Sequence, residues 1–172
     1  MIRVVPHDSD WARQYAEEAR RIASVAPAAL DLHHIGSTSI PGILAKPIID
    51  MLGTVPDLAM IDAATSAFET LGYLALGEFG IPGRRYLRRD DAAGVRSHHL
   101  HVFEQWSDGA ERHLAFRDYL RAHPAVARDY SELKARITRV PVDAATYMDA
   151  KHPFIAETEA RAVAWYRTRQ GG

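Results

Sequence analysis

Cysteine is absent from this chain, which excludes disulfides and thiolate metal sites. Lysine is nearly absent too. Among 21 basic residues only Lys46, Lys134 and Lys151 are lysine, and so strong a drift toward arginine marks them as positions where arginine would not serve. Long apolar runs are missing. The first twenty residues carry Arg3, Arg13 and Arg20 and no apolar stretch, so neither a signal peptide nor a membrane span is expected, and the expected location is cytoplasmic. Excess charge of either sign is also missing. A net charge of −1 excludes a protein that holds nucleic acid by bulk electrostatics.

What is present is a globular balance of residues and an excess of histidine. The 172 residues suffice for one domain, spanning the whole chain, that buries about 70% of its unfolded surface. Four of the nine histidines form two adjacent pairs, His33-His34 and His98-His99, and His101 follows the second pair.

The periodicities predict a mixed α/β (α+β) chain with a helical second half. After a short β-type run at Ile2 to Val5, a helix capped by Asp8 or Ser9 ends before Pro27. Strands follow at Leu30 to Ile35 and Pro47 to Val55, the second buried on both faces. Asp57 caps a helix that Gly72 stops. Tyr73 to Leu76 reads as a strand, and Arg84 to Arg89 with Arg96 to Phe103 as a hairpin turning over Asp90, Asp91 and Gly94. Helices then cover Asp108 to Ala122, Pro124 to Arg139 and Asp143 to Arg167.

The chemistry concentrates in Leu32 to Gly53. Gly36-Ser37 after a strand leaves backbone N–H groups and a hydroxyl free for phosphate oxygens, and Thr38 and Ser39 continue the turn. Asp50 lies among Ile48, Ile49, Met51 and Leu52, so it must be paired, hydrogen-bonded or metal-bound to stay ionised. A loop serine and an acid that merely ties down backbone would explain either residue alone. Turn, Lys46 and Asp50 together favour a phosphate-plus-cation site. On the strand Ser97 to Phe103, His99 and His101 share a face, and two imidazoles at that spacing can converge on one ion. Equally, one can be a core histidine and the other face solvent. Arg84 and Arg85 suit phosphate or carboxylate, although a solvated edge strand explains them as well. Tyr147 and Lys151 are four apart on a helix and could lean over a site, but such a pair reads first as amphipathic surface.

The segments H-I-G-S-T-S-I-P-G-I-L-A-K-P-I-I-D, G-I-P-G-R-R-Y, H-H-L-H-V-F, H-L-A-F-R-D-Y-L-R-A-H-P and Y-M-D-A-K-H-P-F-I resemble, in order and spacing, the GrpB-like family. That family is placed by fold in the nucleotidyltransferase superfamily, and similar domains are fused behind dephospho-CoA kinase, where they are described as folding accessories. The resemblance implies a nucleotidyltransferase-like mixed sheet with flanking helices. Its implied function is metal-dependent transfer of a nucleotidyl or phosphoryl group from a nucleoside triphosphate to a small acceptor. The alternative is a catalytically degenerate ligand-binding or folding-accessory domain. By position, Gly36 and Ser37 match the phosphate turn; Thr38 and Ser39 are expected to extend it, Lys46, Arg84 and Arg85 to offset charge, and Ser37, Asp50 and Lys46 to form the catalytic set. Asp50 matches the first metal-binding acid, whereas the second falls on Leu52 and is missing. Imidazoles of His99 and His101 stand where a third acid is expected. Asp50, His99 and His101 therefore imply one divalent ion, Zn²⁺, Mn²⁺ or Mg²⁺, of which the first two suit imidazole ligands better than the oxygen-preferring Mg²⁺. The expected partner is a small molecule or nucleotide, with no nucleic acid bound in bulk and no membrane.

Overall fold

Five strands form one mixed sheet in the order β1-β2-β5-β4-β3. They span Asp31–Ile35 (β1), Ile49–Val55 (β2), Tyr73–Ala75 (β3), Arg84–Asp90 (β4) and Arg96–Glu104 (β5). The computed structural model describes residues 1–171. The β2–β5 pair is parallel and every other pair antiparallel. The helices are α1 (Trp11–Ala23), α2 (Ala59–Ala63), α3 (Thr65–Thr70), α4 (Asp108–Ala122), α5 (Pro124–Ile137) and α6 (Ala144–Gln170). The expected architecture, a mixed sheet with a helical C-terminal half, is the one observed. Among the described residues no helix is long and apolar enough to cross a membrane.

Alternation along the central strands separates two chemistries. Ile49, Met51 and Val55 of β2, with Leu100 and Val102 of β5, pack on Trp11, Ile22, Ile61 and Phe68 of α1–α3. Within this layer Glu18 is 3% exposed, yet it stays paired, accepting from Tyr73 Oη at 2.7 Å, Arg21 at 2.7 Å and Arg89 at 2.9 Å. Such a buried carboxylate is tolerable only because its lone pairs are filled. The opposite face carries Asp50, Leu52, His99, His101 and Tyr86. Only its upper part is covered, where Ile35, Leu52 and Phe103 meet Ala110 of α4. Helices α5 and α6 stand over the remainder and leave a cleft.

Two local departures from the sequence pattern occur, and the second has a visible cause. Ile2 to Val5 forms no strand and keeps one bridge, Val5 to Ala45. The single helix expected after Asp57 is two short ones. Thr65 Oγ1 donates to the Asp62 carbonyl at 2.9 Å, and this side-chain bond competes with the helical ladder at Ala64.

Candidate functional site

Gly36 sets the geometry of the site. Its φ of 71° lies in the left-handed region, and a Cβ placed on it would stand 2.7 Å from Asp50 Oδ2 and 2.9 Å from Asp50 Cβ. Only glycine fits both demands. The chain then makes a 3₁₀ turn over Ser37–Ser39, and Ser39 Oγ closes it by donating to the Gly36 carbonyl at 2.6 Å. His34 supports the turn from beneath. It is buried, stacks on Tyr15 with centroids 4.8 Å apart, and its Nε2 lies 2.9 Å from Thr38 Oγ1. Burial and the charge of Arg121 push the imidazole down to about 4, so it is neutral and structural.

The cleft measures about 540 Å³, and the turn residues Gly36, Ser37 and Thr38 line it together with Lys46 and Asp50. Tyr86, His99 and His101 form its sheet wall, Arg84 and Phe79 its lip, and Tyr130, Tyr147, Met148 and Lys151 its helical wall. Strand register brings the acid and imidazoles to one side: Asp50 is opposite His99 and Leu52 opposite His101. Burial pushes the Asp50 carboxyl up, but a hydrogen bond from His101 and the charges of His99, His101 and Lys46 outweigh it and hold it below the usual carboxylate range. The His101 Nε2 to Asp50 Oδ1 distance is 3.7 Å. Because Nδ1 of His101 faces the obligate donor Arg84 Nη1 at 3.4 Å, the ring proton of a neutral His101 sits on Nε2, toward Asp50. His99 Nδ1 is held at 2.5 Å from Tyr86 Oη, and burial pushes this imidazole down to about 4.

As they stand, Asp50, His99 and His101 share a face without forming a ligand set. Among the described residues no group of three or more His, Cys, Asp or Glu side chains is spaced to hold a metal ion. Leu52, at the position of the missing acid, is wholly buried against Ile35 and Phe103.

All three lysines converge here, which the sequence pattern only hinted at. Lys134 Nζ lies 2.7 Å from Ser37 Oγ and also donates to the Leu44 carbonyl. Lys134 sits 4.2 Å above the Tyr130 ring, and Lys151 4.3 Å above Tyr147, whose ring Lys46 also faces at 5.5 Å. Burial, then the neighbouring ammonium groups, push Lys134 down to about 7. Burial and Lys46 push Lys151 down to about 8 against the opposing pull of Asp50. Tyr147 and Lys151 are 1% and 8% exposed, so the surface role expected for them is corrected. A sequence signal existed: Tyr-x-x-x-Lys occurs at Tyr130–Lys134 and again at Tyr147–Lys151, one turn apart on each helix.

Three other expectations also change. Arg85 is on the opposite face, where Nε and Nη2 donate to Asp62 at 2.6 and 3.0 Å, because its neighbour Tyr86 takes the cleft side. Arg84 does line the cleft, and its Nε and Nη2 donate to the Glu78 and Phe79 carbonyls at 3.1 and 2.9 Å, so it fastens the lip while Nη1 faces His101. Ser39 closes the turn and does not line the cleft.

The GrpB protein family profile matches residues 1–161. The chain belongs to the GrpB family. UPF0157 protein YqkA of Bacillus subtilis is 39% identical over 170 residues, 98% of this chain and 49% of that protein, so the chain spans about half of this relative's length. A dephospho-CoA kinase of Mycolicibacterium paratuberculosis is 28% identical over 189 residues, with 95% of this chain and 46% of the kinase covered. The crystal structure of conserved protein GrpB from Enterococcus faecalis superposes with a TM-score of 0.89 at 38% identity, covering 95% of this chain and 99% of that one. Terminal uridylyl transferase 4 from Trypanosoma brucei with bound dUTP superposes with a TM-score of 0.56 at 10% identity, covering 96% and 56%, a likeness of fold alone.

Proposed function

We propose that the cleft binds a nucleoside triphosphate, or a similarly phosphorylated ligand, and transfers a nucleotidyl or phosphoryl group from it. One observation carries this: the three lysines of an arginine-rich chain meet beside the Gly36–Ser37 turn, with Asp50 the one carboxylate lining that cleft among the described residues. Clustering ammonium groups out of water costs stability, as the depressed Lys134 and Lys151 values express. A polyanion relieves that cost, so the cluster is arranged for a ligand and not for the resting fold.

Each group has a distinct task in this reading. The turn amides and the Ser37 hydroxyl orient phosphate oxygens, and Lys46 and Lys151 offset charge that builds on the departing phosphate. A carboxyl held below its usual range is a poor general base, so Asp50 serves as a fixed negative charge. The 58% exposed ring of Phe79, stacked on Tyr86 at 5.2 Å, offers a face to a base at the lip. The expected divalent ion would take Asp50 as its anionic ligand with His99 and His101 beside it. Those three do not converge, so no step is assigned to the ion.

Calorimetry with a non-hydrolysable ATP analogue, with and without Mn²⁺ or Zn²⁺, tests both parts. Triphosphate binding is expected to weaken about tenfold or more in Lys151→Met, the loss of one charged hydrogen bond. If Asp50→Ala and His101→Ala bind metal as the parent does, no metal belongs at those residues. A second reading, binding without turnover, is favoured by Leu52 alone. Metal-dependent turnover of a triphosphate that disappears in Asp50→Asn would exclude it.

A further inference from the structure

Phosphate binding leaves the Ser37–Lys134 pair unexplained. An ammonium meant for a ligand should reach into the cleft. Lys134 instead is 1% exposed, points at the Ser37 hydroxyl from 2.7 Å, and has no carboxylate within salt-bridge distance among the described residues. Its bond to the Leu44 carbonyl fixes Nζ in place, while Ser37 opens onto the cleft. We propose that Ser37 is a nucleophile with Lys134 as its general base, and that the Ser37 hydroxyl itself accepts the transferred phosphorus group.

The proposal rests on the cleft's reading as a phosphate-ligand site and supplies the acceptor that reading lacks. In the step, the Ser37 Oγ–P bond forms and the bond from phosphorus to the leaving phosphate oxygen breaks. The leaving phosphate keeps that electron pair and departs toward Lys46 and Lys151. The hydroxyl proton passes to Lys134 Nζ. A neutral amine can keep donating to Leu44 while its lone pair faces Ser37, whereas an ammonium can only donate to both.

Surroundings set the proton balance. The groups around Lys134 are Tyr130 on its own helix, Tyr147 and Lys151 on α6, Lys46 before β2, and Asp50 on β2. Burial and the two neighbouring lysines bring the amine down to about 7, where an appreciable share is unprotonated at neutral pH.

A fluorophosphonate probe tests the pair without nucleotide or metal. With it, an Oγ–P bond forms, P–F breaks, and Lys134 again takes the proton. Intact-mass measurement and peptide mapping of the full chain are expected to find an adduct at Ser37. Its rate should rise with pH through a midpoint near 7. Lys134→Arg keeps a charged donor and removes the base, so labelling should fall about tenfold or more and lose that midpoint. Ser37→Ala should not label at this site. Absence of a Ser37 adduct on folded wild type, or a wild-type rate without that midpoint, overturns the proposal. So does an unchanged rate and profile in Lys134→Arg. If Lys134→Arg fails to melt cooperatively, the wild-type profile decides. Failure of labelling with intact triphosphate binding overturns the pair alone, whereas failure of binding overturns the cleft reading.

Discussion

Asp50 and Gly36 constrain each other, and this is the sharpest requirement at the scale of single residues. Gly36→Ala adds a methyl 2.7 Å from Asp50 Oδ2 at a φ of 71°, so clash and backbone strain act together. A loss of about 2 kcal/mol or more is expected in urea unfolding, from strain of roughly 1–3 kcal/mol plus the displaced carboxylate. An unchanged midpoint would refute the close approach. Lys134 makes a second prediction. Its folded value of about 7 lies below the ordinary 10.5, so between those pH values the unfolded chain binds more protons and stability rises with pH. Lys134→Met lacks this contribution. The wild type should gain on the variant by a few kcal/mol, to order of magnitude, across that window, measured by urea midpoints. A constant difference would contradict a buried amine. Gly36, Ser37 and Asp50 were legible from sequence because a glycine turn and an acid among apolar residues have few other uses. The chemical setting of Lys134 was not, since its burial depends on contacts nearly a hundred residues away along the chain.

At the scale of elements, α4 shows why propensity alone misleads. Gly109 lies in its first turn, and replacing glycine with alanine in a helix ordinarily gains up to about 1 kcal/mol. Here the added methyl would sit 2.3 Å from the Phe103 ring, which is 3% exposed, so something must shift to admit it. Overpacking of roughly 1–3 kcal/mol should win, so Gly109→Ala is expected to lower the melting temperature. A rise would show that α4 does not press on β5. Strands and long helices were readable because period-two and helical patterns persist over many residues, as along β4, β5 and α5. The break at Ala64 was hidden because one threonine hydroxyl decides it. Arg85 shows the limit at a strand: alternation says that Arg84 and Arg85 part, but not which meets the cleft. Tyr147 and Lys151 looked like surface because a helix alone does not reveal what stands opposite. Their Tyr-x-x-x-Lys counterpart on α5 is what converts that face into a wall.

The whole molecule divides its sheet between stability and chemistry. One face carries the apolar layer under α1–α3, and the other holds the acid and the imidazoles, with Lys134 and Lys151 contributed by the helices α5 and α6 beside it. The sequence foretold that Asp50 and the His99–His101 pair share a face. It did not foretell that His99 is held by Tyr86 and His101 faces Arg84, since those bonds come from β4. Because Lys151, which lines the cleft, is depressed to about 8, a bound polyanion should raise it and draw in a proton. Triphosphate affinity is therefore expected to fall as pH rises above about 8, with binding heats that depend on buffer ionisation. Affinity independent of pH over this range would speak against lysine contacts. The most direct measurement is calorimetric titration of the wild type and of Lys46→Met and Lys151→Met, the two lysines that line the cleft, with a non-hydrolysable ATP analogue. Saturable binding to the wild type, weakened about tenfold or more by each substitution, is the result expected. No binding to the wild type, or equal affinity in all three proteins, would contradict it.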